Sequence, residues 1–212
     1  MKVMLVHNRY QQRGGEDAVF EAEEALLRKN GIEVKTYVVD NARINEQSRL
    51  KTAVDTIWSL DSYRRLYREI KAFQPDIVHF HNTFPLISPS GYDACRAHGV
   101  PIVQTLHNYR LFCAQGLCFR NDNVCTDCLG KWLPIPAIRH KCYRSSRIET
   151  FGLATMLVVH RTLRTWARKV DTFIALTEFS RELLVRSGLP ADRIVIKPNF
   201  LSCDPGIGNH TG

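Results

Sequence analysis

Residues 2–39 read KVMLVHNRYQQRGGEDAVFEAEEALLRKNGIEVKTYVV, and the order of patterns inside this stretch decides the fold class. Lys2–Val6 is a short apolar run of strand type, ended by polar His7, Asn8 and Arg9. Glu16–Asn30 has helical period, with Ala18, Ala22, Ala25 and Leu26 along one stripe, and Gly31 closes it as a C-terminal glycine does. Glu33–Val39 returns to strand character. Strand, helix, strand is the unit of a parallel sheet, because parallel neighbours need a crossover between them.

The rest of the chain repeats the alternation. Asn45–Phe73 is amphipathic and reads as one broken helix or two, stopped by Pro75 before a strand at Asp76–Phe80. A helix around Ser90–Ala97 ends at Gly99, and Pro101–Leu106 is the next strand. After an irregular insert, the pattern predicts one long helix over Arg147–Lys169, a strand Thr172–Leu176, a helix Glu178–Ser187 capped by Thr177, and a last strand Ile194–Ile196. The expected class is α/β: a Rossmann-like doubly wound parallel sheet, a single domain with a cysteine-rich insert at about 113–142. Ligands of such sheets bind beyond the carboxyl ends of the strands, which points to residues 8–17, 81–85, 107–110 and 177–180.

Composition excludes several classes. With 212 residues, 44% hydrophobic and 24% charged, the chain is neither disordered nor built to span a membrane. Its longest apolar stretch, near Phe151–Val159, is about half a bilayer span. The formal charge of +8 is local, since Arg139–Lys169 holds eight basic residues against one acidic, Glu149. Seven cysteines, five of them between Cys113 and Cys142, suit a metal site in a reducing compartment better than a disulfide framework. With no signal-peptide pattern after Met1, a cytoplasmic location is expected.

Arg13-Gly14-Gly15-Glu16 joins the first strand to the first helix. Its glycines admit an anion to backbone N–H groups at a helix N-terminus, with a plain tight turn as the alternative. The spacing is not GxGxxG, which argues against a dinucleotide-binding dehydrogenase. His81-Asn82 and His107-Asn108 end two strands and offer donors and acceptors to a polyhydroxylated ligand. His79 alternates with His81 on this reading and faces the other way, as a satisfied core or surface histidine.

The runs DIVHFHNTFPLISPS (76–90), GVPIVQTLHNYRLFC (99–113), DTFIALTEFSRELL (171–184) and IVIKPNF (194–200), preceded by KVMLVHNRYQQRGGEDAVFEAE (2–23), resemble the N-terminal half of a family-4 retaining glycosyltransferase of the two-Rossmann GT-B architecture. The resemblance covers nearly the whole chain in the family's order. It implies an acceptor-binding half whose partner half binds a nucleotide-sugar, with a nucleoside diphosphate displaced in the cleft between them and configuration retained. Stabilising the leaving diphosphate matters more there than a strong base. By position it implies that Gly14 and Gly15 approach the diphosphate, that His107 is the catalytic histidine reaching the transferred sugar with Asn108 beside it, and that His81 and Asn82 form the acceptor-side tip. Residues 1–200 correspond to the N-terminal domain and 201–212 to the start of the interdomain connection or a tail. The donor half is not among these residues, so a truncated or split chain with little or no transferase activity of its own is expected. Glu16 and Glu24 repeat the family's E-x7-E spacing, but on the first helix, where it is a coincidence.

Cys125-Thr-Asp-Cys128 is a CxxC knuckle, able to turn two thiolates toward one tetrahedral ion. Cys113, Cys125, Cys128 and Cys142 bracket the insert and are the expected ligands of a structural zinc, with Cys118 and His140 in reserve; free buried cysteines and an iron–sulfur site are the alternatives. Cys95 and Cys203 read as ordinary thiols. Arg161, Arg164 and Arg168 recur at helical spacing, with Trp166 and Lys169 nearby. A solvated face explains them, or a contact with an anionic membrane at its inner surface that carries a lipid-linked acceptor. Nucleic acid is disfavoured, for want of any aromatic–basic repeat. The second reading of the whole chain is a non-enzymatic module that holds an anionic partner with its zinc loop and basic helix.

Overall fold

The computed structural model describes residues 1–42, 48–201 and 206. Six parallel strands form one sheet: β1 (Lys2–Arg9), β2 (Glu33–Asp40), β3 (Ile77–Asn82), β4 (Ile102–Leu106), β7 (Thr172–Ala175) and β8 (Ile194–Ile196), in the spatial order β2-β1-β3-β4-β7-β8. Helices α1 (Gly15–Lys29), α2 (Arg49–Ile57), α3 (Leu60–Phe73), α4 (Ser90–Ala97), α6 (Arg147–Thr162), α7 (Thr165–Lys169) and α8 (Glu178–Arg186) connect them. Both faces of the inner strands are covered. Met4, Val6, Phe80, Ile102 and Phe173 lie in the main core, while Val3, Leu5, Phe20 and Val34 form a smaller cluster. Burial on both faces is why these strands read as continuous apolar runs. The expected Rossmann-like doubly wound α/β sheet is what the chain forms.

Three local expectations are corrected. The stripe Ala18, Ala22, Ala25, Leu26 is not the inner face of α1; the helix buries Asp17, Phe20 and Glu23 and leaves Ala18, Ala25 and Leu26 exposed. Its inner face meets imidazoles rather than a purely apolar surface, so carboxylates find partners there. The long helix over Arg147–Lys169 is two helices, because Arg164 adopts a left-handed φ of 52° between them. His160 Nδ1 pairs with Thr165 Oγ1 across that break at 2.9 Å, and Trp166 turns into the core. The basic stripe is thereby dismantled. Arg161 donates to the carbonyls of Lys131 and Leu111, and Lys169 pairs with Asp93, while Arg164 and Arg168 stay exposed.

Between β4 and α6 the chain has little regular structure: a two-residue hairpin of β5 (Phe119–Arg120) and β6 (Asn123–Val124), and the short α5 (Ile135–Arg139). No described helix is long and apolar enough to cross a membrane. Cys203 and most of the expected interdomain connection lie outside the described residues, as does Asn45.

Candidate functional site

The winding of the sheet reverses between β1 and β3, whose tips carry His7-Asn8 and His81-Asn82. Connections leave such a pair of strands in opposite directions and open a crevice between them. Amide side chains lock its rim. Asn8 Oδ1 accepts from the Leu86 N–H at 2.9 Å and Asn8 Nδ2 donates to Asn41 Oδ1 at 2.7 Å. Asn82 Nδ2 donates to the Asn8 carbonyl and its Oδ1 accepts from the Phe84 N–H, both at 2.9 Å. Both ends of the Asn82 amide are therefore engaged within the chain.

Under the rim, four imidazoles meet two carboxylates from α1. His7 Nε2 lies 2.8 Å from Asp17 Oδ1, and the other Asp17 oxygen accepts the Gly14 N–H at 2.8 Å. His81 Nε2 lies 2.9 Å from Glu23 Oε2, off the ideal hydrogen-bonding line, and His81 Nδ1 lies 3.1 Å from His107 Nε2. His79 Nδ1 is 3.6 Å from the same Glu23 oxygen, and its Nε2 meets Thr105 Oγ1 at 2.8 Å. Lys197, just past β8, forms an ion pair with the second Glu23 oxygen. His79 thus shares a face with His81, their ring centroids 4.5 Å apart, which overturns the expectation of opposite faces. A strand has a side-chain period of two, so residues i and i+2 point the same way.

Burial and charge set the protonation states. For Glu23, burial alone would raise the pKa, but contact with His81 and the charges of His79 and Lys197 outweigh it and hold the carboxyl at about 2. Burial first, then the neighbouring His81 ring, lowers His79 to about 3 and His107 to about 3. His79 and His107 are neutral imidazoles at neutral pH. Burial also lowers His7.

His107 and Asn108 line a cavity of about 50 Å³ together with His81, Asn82, Phe84 and Arg110. Beside it runs an open groove of about 610 Å³, to which Phe84 and Arg110 also contribute, along with Tyr10, Tyr143 and Arg144. The Arg110 guanidinium lies over the Phe84 ring, 4.6 Å from its centroid, and donates to the Ala114 carbonyl at 2.8 Å. Asn108 Nδ2 donates to Glu16 Oε1 at 2.7 Å, while the other Glu16 oxygen is buried without a hydrogen bond, and burial raises this carboxyl's pKa.

Gly14 and Gly15 are exposed at the start of α1, and a Cβ on either would meet nothing within 4 Å. Gly14 has an ordinary extended φ of −122°, so the chain itself does not require its lack of a side chain.

The structure brings His81, Asn82, His107 and Asn108, all named from the sequence, to the wall of one cavity, and adds His7, Asp17, Glu23 and Lys197, which sequence reasoning missed. The usable signal was Phe20: the only aromatic residue of α1 marks its inner face, and Asp17 and Glu23 stand three residues to either side.

Among the described residues, Glu23, His79 and His81 are the group whose potential metal-ligand atoms all lie within 4.8 Å of one another. The Lys197 ammonium already neutralises Glu23, which makes this group an internal ion-pair network rather than a vacant cation site. The cysteines stand elsewhere. Cys113, Cys118, Cys125, Cys128 and Cys142 line one cavity of about 20 Å³ in the insert, with no three sulfurs within that same separation, and His140 is not part of its wall. Cys95 is buried in the main core, where burial raises its thiol pKa.

Sheet order and crevice define a Rossmann-like domain whose crevice opens at the switch point. Its family is Glycosyltransferase Family 4: residues 13–204 match that family, and the chain belongs to it. Among solved structures, UDP-GlcNAc 2-epimerase from Methanocaldococcus jannaschii is similar with a TM-score of 0.50 and 10% identity, over 92% of this chain and 45% of that one. HepE from Anabaena, in complex with UDP, gives 0.47 and 11%, over 95% and 44%. MurG from Acinetobacter baumannii gives 0.45 and 12%, over 93% and 45%. No curated protein matches. The chain spans less than half the length of these solved structures, and the likeness to the epimerase, at 10% identity, speaks for the fold alone.

Proposed function

We propose that this chain is the acceptor-binding half of a retaining glycosyltransferase that takes its sugar from a nucleotide-sugar, with a separate donor-binding domain completing the site. The observation that carries this reading is the neutral His107 at the tip of β4, hydrogen-bonded to His81 and backed by Glu23, at the mouth of the switch-point cavity. The Glu23 oxygen beside His81 Nε2 favours a proton on that nitrogen, leaving His81 Nδ1 to accept from His107 Nε2–H. His107 Nδ1 then remains an acceptor for a sugar hydroxyl. A neutral imidazole positions a hydroxyl without adding charge to the cleft.

Gly14 and Gly15 supply the complementary element. The Gly14 N–H is taken by Asp17, but open space where the side chains would be leaves the Gly15 N–H at the start of α1 accessible to a diphosphate, and the helix dipole favours such an anion. The open groove, with Tyr10, Phe84, Arg110 and Tyr143, offers aromatic and cationic surface to the acceptor. Exposed Trp132, Leu133, Ile148 and Phe151 beside the basic segment favour a lipid-linked acceptor held at an anionic membrane surface.

The test is reconstitution. The chain is mixed with a separately expressed family-4 donor-binding domain and a panel of nucleotide-sugars, and hydrolysis and transfer are followed. Turnover that His107→Ala abolishes supports the reading; no turnover with any donor, alongside retained binding to anionic vesicles, overturns it in favour of a non-enzymatic module.

A further inference from the structure

We propose that Cys113, Cys125, Cys128 and Cys142 hold one zinc ion in a closed tetrathiolate site, with Cys118 outside the ligand set. Five sulfurs contributed by a stretch of thirty residues face one cavity of about 20 Å³. That is room for a single water-sized occupant. Phe112, Ala114, Leu129, Pro136 and Ala137 supply apolar wall, and the nearby Arg120 and Asp127 are paired with each other at 2.8 Å. A divalent cation offers four thiolates in such surroundings the charge they lack.

The local backbone is folded around the cysteines: the Gly116 N–H donates to the Cys113 carbonyl at 3.0 Å and the Cys125 N–H to the Cys118 carbonyl at 2.7 Å. Cys118 is the most buried of the five, at 6% exposure, which makes it the natural outsider. His140 is excluded because it does not reach the cavity. The sulfurs surround the space without closing on it, and zinc–sulfur bonds of about 2.3 Å would draw them inward. The segment also needs a cross-link. A stretch this long with two two-residue strands and one short helix has little regular structure to hold it.

The site would set the shape of the groove. Cys113 closes the turn that carries Arg110, through Cys113 N–H to the Tyr109 carbonyl and Tyr109 N–H to the Gly116 carbonyl, both at 2.8 Å. Cys142 immediately precedes Tyr143 on the opposite side. One ion would thus fix two groove walls relative to each other.

The experiment uses the full chain, purified under reducing conditions from zinc-supplemented medium, with metals measured by mass spectrometry. One zinc per chain, released by a thiol-modifying reagent, is expected, and cobalt exchanged into the site should show the visible bands of tetrahedral thiolate coordination. Cys125→Ser and Cys142→Ser should lose the metal, whereas Cys118→Ser should retain it. Folded wild-type chain without metal overturns the proposal, and so does iron with acid-labile sulfide. Loss of metal in Cys118→Ser with retention in Cys142→Ser overturns the ligand set. The wild-type measurement decides the matter even if a variant fails to fold.

Discussion

The switch-point cluster and the cysteine insert solve the same problem, holding polar groups still beside a cleft, by opposite means. The cluster hangs on strand ends and one helix, where regular backbone fixes each ring and carboxylates from α1 lie against His7 and His81. The insert has almost no regular backbone and relies on contacts among its own side chains. A site built on a sheet inherits the stability of the sheet, whereas a site built from loops must supply its own cross-link.

The sharpest way to break this contrast is Cys128→Ser. With the proposed zinc bound, it should release the metal completely and raise amide hydrogen exchange throughout residues 107–146, while β1, β3 and β4 keep their protection; uniform loss of protection would show that the two regions fold as one. Next in size is Glu23→Ala, which leaves Lys197 and two imidazoles facing a missing carboxylate. It should cost about 1–3 kcal/mol in denaturant unfolding, the range for unpairing buried polar groups, because Lys197 is 40% exposed and can be solvated. An effect below about 1 kcal/mol would mean that the network is less rigid than its distances imply.

Acid should act on the cluster before it acts on the insert. His79 and His107 titrate near 3 when folded against 6.5 when unfolded, so below pH 6.5 the unfolded chain binds more protons and stability falls. Glu23, at about 2 against 4.5, adds a loss of the same sign at lower pH. Thermal melting should therefore drop progressively from pH 6.5 toward 3, and His79→Gln should flatten the upper part of that slope. In a reconstituted enzyme, His107→Ala should lower turnover about 100-fold or more, the size of a lost transition-state hydrogen bond. Gly15→Ala is the mildest change. It should shift stability by less than about 0.5 kcal/mol yet weaken the reconstituted enzyme, since the new methyl group meets only open space within the chain.

The strands were legible because each is an apolar run between polar tips, and the rule that ligands bind beyond strand ends then pointed to the tips that carry His81 and His107. The inner face of α1 was not legible, because Asp17 and Glu23 are residues that a helix normally turns to solvent. Their partners are distant in sequence: Lys197 lies 174 positions from Glu23. His79 was misplaced by an error of parity rather than by missing information. The break at Arg164 carries neither glycine nor proline, and its cause, His160 engaged with both Thr165 and the Ile57 carbonyl, is tertiary.

The Lys197–Glu23 ion pair ties the end of the last strand to the histidine cluster. Any force that draws Lys197 away strands a buried carboxylate among imidazoles, and the nearest way to restore neutrality is for one of those rings to take up a proton. A displacement of β8 by an ångström or so would then be registered at the far end of the row as a change in the charge beside His107, converting movement of the chain into acid–base state.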